Sequence, residues 1–481
     1  MLNSPSKYKW IVLCPVIALI ACEHHKTGRK ETEGDTFGHL QEVQLTYGEK
    51  GHFLHTVQAF SPDDSWLVYD TRNDDTHIGR TCCIEMVHVD SLTVKRLYHT
   101  KKQTEYGPGV GAVTFNPKRN QVLFIHGLPN SNKDRPYGFS RRTGVSLMVD
   151  TIISPPIFMD ARDVIPPFTP GALRGGTHAH TWSPDGNWVS FTYNDALFAE
   201  LSAKGNQDFR DLRMVGVMAP LGEVDVDRDD IGENINGKMF SVIVTEVTEN
   251  PKWGSDQIDR AYGDGWIGDK GYFNTDGTHQ HRAVGFLGDT RDENGQQLTE
   301  VFVVDIPDDV RKSGYDKPIE GRKNMRPMPP TGTKQRRVTH TQNRKFPGVQ
   351  GPRHAIRSHP DGSNIYFMMK DSKGIVQVYE VSVNGGKVRQ VTTNEDSIET
   401  SFDLSPDGNY LAYGIDQQIH ITEVTSGRTR KFSIKKDSKV TGLRAINWSN
   451  RGDMIAYNRM VSAGGESYFQ IFVLKTVENG K

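Results

Sequence analysis

Short runs of alternating apolar and polar residues fill most of this chain, and they come in pairs joined by tight-turn residues. In "HTWSPDGNWVSFTYND", beginning at His180, the second run places Val189, Phe191 and Tyr193 on one face with period two. Between the runs, Pro184, Asp185 and Gly186 preset or tolerate turn dihedrals. The theme recurs as "VQAFSPDDSWLVYD" from Val57, "AVTFNPKRNQVLFIHG" from Ala112, "AIRSHPDGSNIYFMMKD" from Ala355, "SFDLSPDGNYLAYGID" from Ser401 and "AINWSNRGDMIAYNR" from Ala445. Each copy predicts strand, turn, strand, and "IVQVYEVSVNGGKVRQVTT" continues into another hairpin through Gly385 and Gly386. A four-stranded unit of this kind cannot bury both faces alone, so the units must stack, and radial stacking gives an all-β, seven-bladed β-propeller. The irregular blade falls between Trp182 and Ser358, where "HRAVGFLGD" and "LTEVFVVDIP" have strand character. Six or eight blades fit the same pattern.

Registering the copies on Phe60, Phe115, Trp182, Ser358, Leu404 and Trp448 aligns Thr56, Gly111, His178, His354, Thr400 and Arg444 four positions earlier. The first strand of a propeller blade is innermost, so these side chains are expected near one mouth of the central channel, where polar groups from many blades converge. His180 shares a strand face with His178 by period two. The alternative is that each histidine hydrogen-bonds a neighbouring loop. Three long connections are candidate binding elements: "RPYGFSRRTG" after His126, "IPPFTPGALRGG" before His178, and the aromatic, glycine-rich stretch from Pro251 to His281. From Arg311 to Lys345 stand eleven Lys or Arg against two acidic residues, which suits either a solvated loop or a polyanionic ligand.

Composition narrows the class. Hydrophobic residues are 35% of the 481, with 47 Gly and 24 Pro, a balance that suits many short strands and turns and argues against long buried helices. A formal net charge of −1 gives no global electrostatic reason for a nucleic-acid partner, and a monomer is expected. At the N-terminus, Lys7 and Lys9 precede an apolar run from Trp10 to Ala21 that stops at Cys22, followed at once by polar residues. This resembles a bacterial lipoprotein signal, which implies residues 1–22 as signal peptide, Cys22 as the lipidated residue, 23–40 as a flexible tether and 41–481 as one propeller domain at the cell envelope, membrane-anchored by lipid. A simple secretory signal or membrane anchor is the alternative. Four cysteines leave only Cys82 and Cys83 in the folded part, so a disulfide framework is not expected; adjacent cysteines bridge poorly and read as buried strand residues.

The Ser-Pro-Asp-Gly repeats resemble those of TolB-like propellers. The segments "VLFIHG", "TPGALRGGTHAHTWSPDG", "VSFTYND", "DLRMVGV", "GSDQIDRAYGDGWIG", "FPGVQGPRHAIR" and "GIVQVYEVSVNGGKVRQVT" resemble TolB-like bacterial proteins associated with the propeller ulvan lyases of polysaccharide lyase family 25. The resemblance runs from about Gln41 to the C-terminus. It implies a polysaccharide lyase acting by β-elimination next to a uronic acid in an acidic, sulfated, ulvan-like polysaccharide; a non-catalytic propeller that binds glycan or protein partners is the alternative. The chemistry needs a cation to neutralise the uronate, a base for the neighbouring C–H and an acid for the leaving oxygen. The family order of His, Tyr, Arg and a further Tyr is matched by His126, Tyr193, Arg213 and Tyr262. The lyases carry a second histidine downstream of the first, and here Ser140, Arg141 and Arg142 occupy that region. Arg141 or Arg142 then neutralises the carboxylate, or His178 enters from a neighbouring blade, with His180 beside it, or the activity is altered. Structural roles compete: His126 as a satisfied loop histidine, Tyr193 as strand packing, Arg213 in a salt bridge with Asp211 or Asp208. No cofactor is required for such catalysis. His279 and His281 have the spacing of a strand chelate, and a structural zinc held by His281 and His354 is the weaker reading of these residues.

Overall fold

The repeated turn closes itself with side chains. Ser183 Oγ donates to Asp185 and accepts Trp188 N at 2.9 Å, while Asp185 accepts Asn187 N at 3.0 Å. Ser405, Asp407, Asn409 and Tyr410 repeat the arrangement, as do Ser61, Asp63, Ser65 and Trp66. Such local hydrogen bonds satisfy turn amides without help from the core, so the hairpins are encoded in a few adjacent residues.

The computed structural model describes residues 40–150, 155–206, 208–432, 434 and 439–476. The signal segment, Cys22 and all of the tether but Leu40 lie outside them. The described residues form seven blades. The first comprises a segment bridged at Phe53 and Phe60, then Trp66–Asp70, Cys83–His88 and Val94–His99. Blade 2 is Val110–Phe115, Gln121–Gly127, Arg142–Met148 and Ile157–Phe158; blade 3 is Gly175–Trp182, Val189–Asp195, Met214–Ala219 and Phe240–Ile243. Blade 4 is Arg260–Trp266, Ala283–Arg291, Gln297–Asp305 and Lys334–Arg337. Blades 5 and 6 start at Arg357–Ser358 and Asp403–Leu404. In blade 7, Val440–Trp448, Met454–Ala463 and Glu466–Thr476 take Leu40–Gln44 as outermost strand, with Val43 opposite Val473. Joining the first described strand to the last closes the ring.

Apolar side chains fill the wedges between blades. Phe286 and Val304 of blade 4 pack with Val215 and Val242 of blade 3, and Ala456 and Val473 of blade 7 pack with Phe60 and Leu67 of blade 1. Innermost strands carry a recurrent bulge: the register slips after Gly111, His178, Tyr262 and Arg444, and the next residues, Ala112, Ala179, Gly263 and Ala445, have φ of 53°, 55°, 65° and 52°. Alanine at positive φ is strained by about 1 kcal/mol. Bulges of this kind re-aim the flanking side chains, here where the strands enter the channel.

Three expectations change. Tyr262 lies on the innermost strand of blade 4 rather than in a loop; Gly263 and Gly265, which look like turn residues, serve the bulge and a close approach to Ile356 O, which a Cβ on Gly265 would meet at 2.8 Å. Cys82 and Cys83 form a disulfide. The two sulfurs meet because Cys82 lies just outside the strand that Cys83 begins, free of the pleat that would direct neighbouring side chains to opposite faces. Finally, the basic stretch is largely neutralised in place, with Arg326 on Glu249 (2.5 Å), Arg336 on Asp305 (3.0 Å) and Arg337 on Asp256 (3.0 Å).

Candidate functional site

The face on which the innermost strands begin, opposite the Ser-Pro-Asp-Gly turns, gathers arginines and histidines. Arg142 opens the third strand of blade 2 and is 3% exposed. Its Nη1 donates to Tyr137 Oη at 2.8 Å, but its Nε and Nη2 are buried without a hydrogen-bond partner. His178, on the innermost strand of blade 3, is 4% exposed, and neither ring nitrogen has a partner. Buried polar atoms in folded proteins are nearly always satisfied by protein, water or ligand, so four unmet donor or acceptor positions at one place mark a candidate binding site.

Above them lies Phe139. Its ring centroid is 4.5 Å from the Arg142 guanidinium, 5.7 Å from that of Arg213 and 6.1 Å from the His178 ring. The loop that carries it, between Gln121–Gly127 and Arg142–Met148, is anchored on both sides. Tyr137 packs so closely on Gly79 and Gly127 that a Cβ at either would fall within 3 Å of its ring. Arg141 pairs with Glu233 at 2.8 Å and with Asn130 at 2.7 Å. Phe139 therefore stays 58% exposed on a fixed loop. Beside it opens a cleft of about 390 Å³ whose lining includes Asn194, Asp211, Arg213, Arg260 and Asp289.

The arginines at this mouth repel one another, with Asp211, Asp259 and Asp289 lining the adjoining cleft as the opposing charges. Arg142, Arg213, Arg260 and Arg353 make no ion pair among the described residues, whereas Arg72 is held by Asp70 through bonds of 2.7 and 2.9 Å. Burial, then Arg260, Arg142 and Arg353, lowers the Arg213 pKa to about 10. Burial pushes His178 well below 6.5, reinforced by Arg142 and Arg213. His55 and His180 fall to about 3 for the same first reason; Arg72 and Arg353 add to the effect at His55, and Arg142 at His180. His180 Nε2 is 3.0 Å from Thr177 Oγ1. The result is a pocket of neutral imidazoles under a rim of guanidiniums, a field suited to an anion.

Of the residues singled out in the sequence, Arg213, Arg142, His178 and His180 meet here. His126 and Tyr193 do not join them. His126 sits in an aromatic cluster with Tyr98, Phe124 and Phe158, with its Nε2 3.0 Å from Tyr98 Oη and its Nδ1 against Gly127 O. Tyr193 is fully buried in the core between blades 2 and 3, and its hydroxyl donates to Asp195, the partner of Arg174. Tyr262 is near the rim, under Arg260 at 4.6 Å, its hydroxyl 3.3 Å from Asp289. Arg141 is committed to Glu233, and Arg213 bridges neither Asp211 nor Asp208. The zinc pair is not assembled: His354 Nδ1 contacts Pro352 O at 2.9 Å and Nε2 accepts Met368 N at 3.3 Å, leaving no lone pair, while the His281 ring lies beside that of His279, tilted by 46°. Sequence reasoning missed Tyr137, Phe139, His55 and Arg353. The aromatic loop "RPYGFSRRTG" was the available signal for the first two.

The chain is 36% identical over 418 residues to the uncharacterized protein YidR of Escherichia coli, covering 86% of this chain and 94% of that one. It belongs to the YidR family. A family model described as "Protein of unknown function (DUF3748)" matches residues 109–233, and that stretch carries Tyr137, Phe139, Arg142, His178, His180 and Arg213 of the candidate site. Among solved structures, an oligogalacturonate lyase in complex with manganese aligns over 91% of this chain and 94% of its own with TM-score 0.51 and 9% identity. That likeness shows a shared propeller fold. TolB from Acinetobacter baumannii aligns over 87% of this chain and 83% of its own with TM-score 0.33 and 12% identity.

Proposed function

We propose that this YidR-family propeller is a polysaccharide lyase that cleaves a uronate-containing, ulvan-like acidic glycan by β-elimination at the arginine-rich mouth. The observation that carries this reading is the unmet pair of N–H groups on buried Arg142 beside unpartnered His178, under an exposed aromatic ring. A guanidinium edge with two parallel donors fits a carboxylate, and an exposed Phe fits the apolar face of a sugar.

In this mechanism Arg142 and Arg213 hold the uronate carboxylate, drawing charge from it and acidifying the C–H beside it. His178, kept neutral by burial, accepts that proton. An imidazole with so low a pKa is a weak base, but the incoming carboxylate offsets the arginines and raises its proton affinity, so base strength arrives with substrate. Tyr137, whose hydroxyl accepts from Arg142, protonates the leaving glycosidic oxygen; Arg142 then stabilises the phenolate. The C–O bond breaks, a C=C bond forms, and one proton moves from carbon to histidine while another moves from tyrosine to oxygen. The oligogalacturonate lyase of similar fold is in complex with manganese, but the donor set here does not fit a divalent cation: four unpaired arginines surround the free imidazoles, so no step is routed through a metal.

Anchoring through Cys22 at the cell envelope, as a monomer facing polymer outside the membrane, completes the proposal. A non-catalytic glycan-binding propeller is the second reading, favoured by the low exposure of His178, since a rim of arginines and Phe139 suffices for binding. Incubation with ulvan and with polygalacturonate, following ultraviolet absorbance of the unsaturated uronate product, tests the two. A product from either polymer supports the lyase; saturable binding without product supports the binder.

A further inference from the structure

Outside the arginine and histidine cluster, blade 1 brings Cys82, Cys83 and His99 together: one ligand atom from each lies within 4.8 Å of the other two. Cys83 and His99 are cross-strand partners in the ladder of Cys83–His88 with Val94–His99. The backbone around them is fixed, with Thr100 N on Cys82 O at 2.9 Å, Thr71 N on Cys83 O at 3.3 Å and Val110 N on Thr81 O at 2.9 Å. Cys83 is buried, Cys82 is half-buried and His99 is exposed, so the cluster opens to solvent on one side. The His99 side chain makes no hydrogen bond or ion pair among the described residues, so both of its ring nitrogens are available.

We propose that Cys82, Cys83 and His99 form a redox-gated site for a soft d¹⁰ metal ion, with Zn(II) as the reference occupant. In the disulfide form the sulfurs are poor ligands and the site is closed. A dithiol reductant opens it: the S–S bond breaks, the reductant is oxidised to its own disulfide, and two thiols appear on the protein. A Zn²⁺ ion then binds two thiolates and one imidazole nitrogen, releasing the two thiol protons, with water as the fourth ligand. Two thiolates and an imidazole are the donors such an ion prefers, and an open fourth position is ordinary for zinc. Reduction requires only that the sulfurs separate to the span of two Zn–S bonds of about 2.3 Å each, a local adjustment at a strand end. The site is independent of the lyase reading, because it uses none of the residues assigned to that mechanism.

Cobalt(II) serves as the spectroscopic probe for zinc. The full chain, reduced with excess dithiol that is then removed anaerobically, is expected to bind one equivalent of Co²⁺ with a thiolate-to-metal charge-transfer band that Zn²⁺ abolishes. The untreated, disulfide form is expected to show neither. Cys82→Ser with Cys83→Ser, which retains Cys14 and Cys22, is expected to lose the band, and His99→Ala to weaken binding ~10- to 100-fold, the usual scale for a lost ligand contact. A reduced protein without the band, a band of equal strength in the disulfide form, or a band that survives in the double variant overturns the proposal. Because the first comparison uses only the unmutated protein, poor folding of a variant does not blunt the test.

Discussion

The guanidinium of Arg142 lies 4.5 Å from the ring centroid of Phe139, and the two are opposites in exposure: 3% for the arginine, 58% for the aromatic ring. An exposed ring over a buried cation gains only about 0.5–1 kcal/mol from that contact. Little of the fold depends on Phe139, so its position is available for a ligand. Phe139→Ala is expected to lower stability by no more than about 1 kcal/mol and to raise KM for the glycan about 5- to 30-fold. Equal KM values for variant and parent would remove Phe139 from the binding surface.

Arg142 gives a prediction of opposite sign for stability and activity. A buried guanidinium with two unmet N–H groups costs the fold, and replacing a buried charge by an apolar side chain of similar volume is often neutral or stabilising. Arg142→Met is therefore expected to hold or raise stability by about 1 kcal/mol, while turnover falls 100-fold or more because the carboxylate loses a charge-assisted pair. Arg213→Ala, less buried, is expected chiefly to raise KM. Denaturant titration and steady-state kinetics on one preparation measure both effects.

The blades could be read from the chain because the Ser–Asp–Gly turns are closed by neighbours in sequence, as at Ser183, Asp185 and Trp188. Registering the copies also put His178 on a first strand, and the structure has it on the innermost strand of blade 3. Blade 4 was harder: Gly263 and Gly265 look like a turn, and only the pairing of Tyr262 with Leu287 shows the strand. The site failed at points where tertiary packing decides. Tyr193 follows Val189 and Phe191 with period two, and that parity belongs to the core between blades rather than to the channel. Tyr137 and Phe139 lie in a loop without periodicity; what fixes Tyr137 is contact with Gly79, from another part of the chain, while Phe139 lies over the neighbouring Arg142.

The placement of His126 and Tyr193 predicts structural rather than catalytic phenotypes. Tyr193→Phe removes a hydroxyl that shares Asp195 with Arg174, and a single neutral donor to a charged acceptor contributes about 1.5–3 kcal/mol. Stability should fall by up to that amount with turnover close to wild type. His126→Ala empties part of an aromatic cluster and is expected to cost about 2–3 kcal/mol. Thermal denaturation beside kinetics below the melting transition separates the two; a 100-fold loss of turnover in a folded Tyr193→Phe protein would return the acid role to Tyr193.

His178 supplies a pH test with a definite sign. Burial, with Arg142 and Arg213, holds its pKa well below the 6.5 of the unfolded chain, so below pH 6.5 the unfolded state takes up a proton that the folded state refuses. The stability due to a neutral His178 is present above pH 6.5 and is lost as pH falls from 6.5 toward the folded pKa, by at most about 1.4 kcal/mol per pH unit. His178→Gln abolishes this term, so the stability of the variant relative to the parent should rise on acidification across that window and stay level above pH 7. Catalysis reads the same group. As the base, neutral His178 should place the acidic limb of kcat/KM, which reports the free enzyme, well below pH 6.5; the limb of kcat, which reports the complex, should lie higher because bound uronate offsets the arginines. Two limbs at the same pH near 6.5 would assign the base to an ordinary exposed histidine instead. An unchanged acidic limb in a weakly active His178→Gln protein would rule His178 out directly.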